Sequence, residues 1–337
     1  KLRLGDIFLK QFKDSKNIRL FLNATVTNLK VNHEGRFIES LIVNKNNPNG
    51  KKITIKSKVY ILSCGAIENA RILLLSDSVF KNGLCNDNDL VGRFFQQHGY
   101  TDNINNHIHM LINNKKIFDL YGVHKFKNTN AWGFLTLSPK LQEKNKLLNS
   151  YFSINNWSAI IEDDKTTRSM KRNYIKFLNN LGINSPNEWY SVKSVMLHEQ
   201  EPNFYNRISL SDDRDWLNQR KVKITSQISD LQIQTMISTF RIFGNFLGQN
   251  FLGKVRIESD IKELFGSPGT QGHHIGTTRM SASSSNGVVD QNCKTHSIDN
   301  LYIGGSSTFP TGSATNPTFT ILAMSIRLAD HLKQYVL

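Results

Sequence analysis

Apolar residues recur with a helical period near the end of the chain. Phe319, Ile321, Leu322, Met324, Ile326, Leu328, Ala329 and Leu332 share one side and Arg327, Asp330 and Lys333 the other, which predicts a long amphipathic helix. Pro317 suits its first position, because the N–H that proline lacks would be unpaired there anyway, and that puts Asn316 at the N-cap. The free N–H groups and positive dipole end of such a helix favour an anion or an electron-rich carbonyl edge. A second helical repeat, Ile233, Met236, Ile237, Phe240, Phe243 and Leu247, predicts a helix over residues 230–250, and residues 5–13 read as a shorter one.

Strand patterns occupy Ile18–Leu22, Ala24–Val31, Arg36–Val43 and Ile53–Leu62, with Glu34-Gly35 as a turn and Asn44–Gly50 as a loop of turn formers. The β-rich run from Val59 passes through Ser63-Cys64-Gly65 into an amphipathic helix ending near Ser76. Leu301-Tyr302-Ile303 is a short buried strand closed by Gly304-Gly305-Ser306-Ser307, a pattern of close backbone approach at a strand end. Residues 100–230 mix short β patterns with helices, and Ser281–Gly287 is a Ser-rich loop. The fold class is therefore mixed α/β.

At 337 residues and 39% hydrophobic, the chain can bury a sizeable core and suits two interleaved regions better than two sequential domains. No apolar run reaches the roughly 18 residues that cross a bilayer. Cys64, Cys85 and Cys293 have no Cys-x-x-Cys spacing, which argues against a disulfide framework or a cysteine zinc site and favours a reducing, cytoplasmic setting. Targeting at the N-terminus is not legible from a chain that opens at Lys1. The net charge of +15, from 42 basic and 27 acidic residues, raises nucleic acid as a partner. Its lysines are spread out, however. Lys51, Lys52, Lys56 and Lys58 alternate along a strand pattern and Lys171, Arg172 and Lys176 lie on a helical one, without an aromatic platform, so they read as solvated charge. His107 and His109 could share a strand face but lack a third ligand, so no metal site is expected. Gly304-Gly305-Ser306-Ser307-Thr308 lacks the second glycine of a hydrolase nucleophile turn.

The most specific signal is an order of motifs: His273-His274-Ile275-Gly276-Thr277, Val288-Val289-Asp290, Asn300-Leu301-Tyr302, Phe309-Pro310-Thr311 and Asn316-Pro317-Thr318. Upstream, Val59–Ser76, Val91–His98 and Asn206–Asp215 continue it. Together these resemble the C-terminal part of the glucose/methanol/choline (GMC) flavin oxidoreductases, in the branch containing pyranose oxidase and membrane-linked sugar-acid dehydrogenases. About two thirds of the chain is covered in order, with residues 100–195 unmatched.

The resemblance implies FAD as cofactor and oxidation of an alcohol or sugar CH–OH group, with hydride passing to flavin N5. It puts His273 in the position of the base, a role that suits an imidazole. Asn316 falls where the substrate oxygen is oriented, and His274 beside the substrate. Val26 matches a position whose backbone reads the adenine, and Gly65, Ala66, Gly304, Gly305, Pro317 and Thr318 fall at cofactor contacts. His98, in the Gly92-Arg93 segment, has a role that is structural as often as functional. The implied division is residues 1–99 as a partial FAD-binding domain, 100–270 as mainly substrate-binding, and 271–337 as the return to the FAD domain.

One departure matters. No Gly-x-Gly-x-x-Gly is present, and Gly266, Gly269 and Gly272 lack its tight first pair. The expectation is a C-terminal portion of a longer protein that needs a missing N-terminal dinucleotide-binding segment and binds FAD poorly alone. The alternative is a non-catalytic remnant or half-protein. Neither the particular substrate nor the electron acceptor is assigned.

Overall fold

The computed structural model describes residues 3–45, 50–100, 107–121, 123–127, 129–159, 165–258 and 272–336. In chain order the first region holds helix α1 (Leu4–Asp14), strands β1 (Thr25–Val31), β2 (Ile38–Asn44), β3 (Ile53–Ile55) and β4 (Tyr60–Leu62), and helix α2 (Gly65–Leu75). Next come β5 (Gly99–Tyr100), β6 (Ile108–Ile112), α3 (Lys116–Tyr121), β7 (Val123–Phe126), β8 (Thr129–Trp132), β9 (Leu135–Thr136), α4 (Pro139–Asn145), β10 (Ser150–Ala159), α5 (Lys165–Asn180) and β11 (Tyr190–His198). The last part contains β12 (Arg207–Arg214), β13 (Arg220–Thr225), α6 (Asp230–Gln249), β14 (Gly253–Ile257), β15 (Leu301–Ile303) and α7 (Thr318–Tyr335). The architecture is mixed α/β, as the patterning predicts.

Strands from opposite ends of the chain meet in the first core. β4 and β15 pair in parallel, with Tyr60 opposite Leu301 and Leu62 opposite Ile303. Leu62, Ala70, Leu73, Leu301 and Ile303 bury together with Leu29 and Ile38 from the antiparallel sheet β1-β2-β3. The β12–β13 hairpin joins the same core through Ile208 and is tied to α2 by an Arg71–Asp215 ion pair at 2.6 Å.

The second core lies under a six-stranded sheet of order β14-β6-β11-β10-β9, with β5 on β11. Phe152 and Met196 of this sheet pack on Met236 and Phe240 of α6. Ser229 begins α6 with a reciprocal capping box to Gln232, worth about 1 kcal/mol. The other face of the sheet packs Leu111 against Met170, Tyr174 and Leu178 of α5.

Three local expectations are corrected. Ile18–Leu22 is not a strand; among the described residues no neighbouring strand closes its hydrogen bonds, and Leu20, Phe21 and Leu22 are 65%, 65% and 75% exposed. The run Ile53–Leu62 breaks into β3 and β4, which belong to different sheets, where Ser57 N–H donates to the Tyr60 hydroxyl at 2.8 Å; Lys56 and Lys58 therefore leave the strand. Asn316 is not the N-cap of α7. Pro317 takes that place with helical dihedrals, and its carbonyl accepts the first helical bond from Ile321 at 2.9 Å. Of the apolar stripe on α7, only Leu328 and Leu332 are buried; Phe319 is 84% and Ile326 64% exposed.

Candidate active site

The carboxyl ends of the parallel strands β4 and β15 point the same way, and the turns that follow them form one wall of the site. Ser63-Cys64 leads into α2, so the free N–H groups of that helix open at this edge. Gly65 and Gly305 have φ of +83° and +96°, and nothing lies within 4 Å of where a Cβ would sit on either. Gly304 is held tightly; its N–H donates to the Leu62 carbonyl at 2.7 Å, and a Cβ there would meet Ser63 Oγ at 2.6 Å. Asn69, fully buried on α2, ties the turns together by accepting from Cys64 N–H at 2.8 Å and donating to Ser307 Oγ at 2.9 Å. Sequence reasoning assigned Asn69 no role, although a polar residue on the buried stripe of a helix was a signal for one.

The histidine segment docks on this wall. Thr277 Oγ1 donates to the Ala66 carbonyl at 2.6 Å, and Ser306 Oγ donates to the His274 carbonyl at 2.7 Å. Gly276, at φ +91°, lets the segment lie against residues 94–96, where Gln96 and Ile275 exchange backbone bonds of 3.1 and 2.9 Å. The ring of His273 stands edge-to-face against His98, centroids 4.9 Å apart, and that of His274 lies 5.4 Å from Phe95. Nδ1 of His273 and Nε2 of His274 are buried and have no hydrogen-bond partner among the described residues. A cleft of about 310 Å³ lies on the far side of His98 and Ile275, lined by these two with Thr315, Asn316 and Pro317 among others. Asn316 is exposed there.

Burial pushes the His273 imidazole below its ordinary range, and burial followed by the charge of His273 does the same for His274. His98 is pushed down to about 4 by burial and then by His273, against an opposing pull from the Thr315 backbone. His198, at the end of β11, is also lowered to about 4, chiefly by burial. Neutral imidazoles at pH 7 can accept a proton.

The same shifts set an acid limit on the fold. His98 and His198 bind protons in the unfolded chain at about 6.5 but in the fold only near 4, so the unfolded state gains protons first as pH drops. Stability is therefore full above 6.5 and falls across that window, by up to roughly 3 kcal/mol per histidine. Urea unfolding at pH 7, 5.5 and 4.5 measures the fall, and His198→Gln makes it shallower; a midpoint that does not move with pH contradicts the assignment.

Of the expected positions, Gly65, Ala66, Gly304 and Gly305 come together with His273 and His274, and Asn316 and Pro317 face the adjoining cleft beside His98. Thr318 is the exposed first residue of α7. Val26 stands apart, in β1 opposite Val43. Asn28, two residues on, reaches the Leu75 carbonyl at the far end of α2 from Gly65. Gly266 and Gly269 lie outside the described residues. His109 pairs with Glu258 at 3.7 Å, and among the described residues no group of three ligands could hold a metal. No described helix is long and apolar enough to cross a membrane. The open glycine turns, a helix N-terminus and unpaired buried imidazole nitrogens together fit a flat cofactor with an anionic tail.

The GMC oxidoreductase family model matches residues 202–325. Pyranose 2-oxidase of Tricholoma matsutake is 36% identical over 72 residues, which are 21% of this chain and 13% of that protein. The 2-methyl-1,2-propanediol dehydrogenase of Mycolicibacterium austroafricanum is 23% identical over 296 residues, 85% of this chain and 49% of its own. Among solved structures, an FAD-dependent oxidoreductase from Chaetomium thermophilum shares the fold with a TM-score of 0.56 at 12% identity, over 96% of this chain and 63% of that one. This chain thus spans about half the length of the curated dehydrogenase that it matches along most of its own.

Proposed function

Residues 202–325 of this chain belong to the GMC oxidoreductase family, and from that premise we propose that the chain is the base-bearing part of an FAD-dependent oxidoreductase acting on the CH–OH group of an alcohol or sugar. The observation that carries the reading is the half-buried imidazole of His273, docked at the carboxyl ends of two parallel strands and in ring contact with His98, which lines the cleft that presents Asn316. FAD, when bound, supplies the hydride acceptor. Gly65, Ala66, Gly304 and Gly305 would hold it through turns that leave room for close approach, with Pro317 and Thr318 at the start of α7 and Val26 at the adenine end. His273, held neutral by burial, takes the hydroxyl proton as the C–H bond gives up its hydride and the carbonyl forms. Asn316 is free to orient the substrate oxygen because Pro317 caps the helix in its place. His274 borders the substrate with its unpaired Nε2. The names of the two curated relatives, one acting on a sugar and one on a diol, support the substrate class.

A separate dinucleotide-binding segment belongs to the same proposal, with residues 1–99 and 271–337 on the cofactor side and 100–270 mainly on the substrate side. Its support is apolar surface that the chain itself leaves uncovered. α1 buries none of its residues, Leu20–Leu22 are exposed, and Ile61 of β4 and Phe319 and Ile326 of α7 are 47%, 84% and 64% exposed. Asn316→Ala in the flavin-loaded full protein is expected to lower kcat/KM about tenfold or more, with the unfolding midpoint unchanged. Equal losses of turnover and stability would make Asn316 a structural residue only.

A further inference from the structure

The segment Gly92–His98 threads between the C-terminal return and β12. Gly92 N–H donates to the Thr277 carbonyl at 2.7 Å, and its own carbonyl accepts from Ile208 at 2.8 Å. Gln96 and His98 of this segment both reach the loop that precedes α7. Gln96 Oε1 accepts from Gly312 N–H at 3.1 Å, and His98 reaches the same loop, lining the cleft beside Thr315 and Asn316. Against its other neighbour, the His98 ring meets that of His273 at 75° with centroids 4.9 Å apart. The residue is 3% exposed, and its Nε2 is buried with no hydrogen-bond partner among the described residues. One imidazole therefore touches both the ring of His273 and the loop that carries Asn316.

We propose that His98 is a positioning residue for the site: its edge-to-face contact sets the plane of the His273 imidazole, and its place against Thr315 ties that imidazole to the loop bearing Asn316. This rests on the reading of His273 and Asn316 given above. His98 also stays out of the proton transfer itself. Burial pushes both His98 and His198 behind it down to about 4, so both are neutral at pH 7. A tilt of the His273 ring that displaces its nitrogen by about 1 Å costs on the order of tenfold to a hundredfold in rate.

His98→Phe keeps a buried flat ring without nitrogens, and His98→Asn keeps a polar group without a ring. In the flavin-loaded full protein both are expected to lower the rate of flavin reduction about tenfold or more, with half-saturation by substrate little changed. Both are also expected to move the imidazole ¹⁵N signals of His273, which a change in mere stability leaves in place. If one variant fails to fold, the other carries the same pair of measurements. A folded variant with the wild-type rate, or with His273 signals at their wild-type positions, overturns the proposal. Should wild-type protein be reduced by no alcohol or sugar, the functional reading has failed, and the nitrogen signals alone still decide whether His98 holds His273.

Discussion

His273→Ala in the flavin-loaded protein lowers the rate of flavin reduction by alcohol or sugar about 10²-fold or more, the scale of a positioned base. The size follows from where the imidazole stands. It is buried enough for desolvation to keep it neutral, its Nδ1 has no partner that would compete for a proton, and its ring is fixed against His98. Alanine removes the positioned base and leaves the hydroxyl proton to water or a less well placed group, while the glycine turns and the cleft are untouched, so flavin retention and the unfolding midpoint stay close to wild type. Stopped-flow reduction without dioxygen measures the loss. An unchanged rate removes His273 from the mechanism.

Gly276→Ala should strongly destabilise the fold. At φ +91° an L side chain is strained, and its Cβ would meet the Phe94 carbonyl oxygen at 2.3 Å, a backbone atom that cannot swing away. Relief requires parting the histidine segment from residues 94–96 and stretching the paired bonds between Gln96 and Ile275. The strained dihedral costs about 1–3 kcal/mol and each weakened bond about 1 kcal/mol. A loss of roughly 3–5 kcal/mol is a large share of the ~5–15 kcal/mol that holds a typical domain together. Gly305→Ala is the control, because its φ is similar but its Cβ meets nothing within 4 Å. It should cost much less stability and instead weaken flavin retention. Chemical denaturation of both variants separates the two effects, and equal midpoints contradict the packing argument.

Helical segments were the most legible part of the chain. The repeat from Ile233 to Leu247 marks α6 because one face of that helix lies on a sheet, and Leu301–Ile303 reads as a strand because it is buried on both sides. Ile18–Leu22 misleads because apolar alternation shows what a segment could bury but not whether a partner is there to cover it. The same gap affects α7, whose periodic stripe is real but largely uncovered. At the site, motif order pointed to His273, His274, Gly304 and Gly305. It could not show that His98, 175 positions before His273, stands against it, since that contact comes from a segment threaded between two distant parts of the chain. Nor could it show that Pro317 relieves Asn316 of capping, which depends on one residue's dihedrals.

The central claim is that this chain supplies the base-bearing half of a flavin site and needs a nucleotide-binding segment to complete it. The most direct test is the visible absorbance of the purified chain alone and of the polypeptide expressed from its full natural reading frame. The account predicts a flavin spectrum only in the longer form, bleached by an alcohol or sugar when dioxygen is excluded. A flavin spectrum in neither form, or one that no alcohol or sugar bleaches, contradicts it.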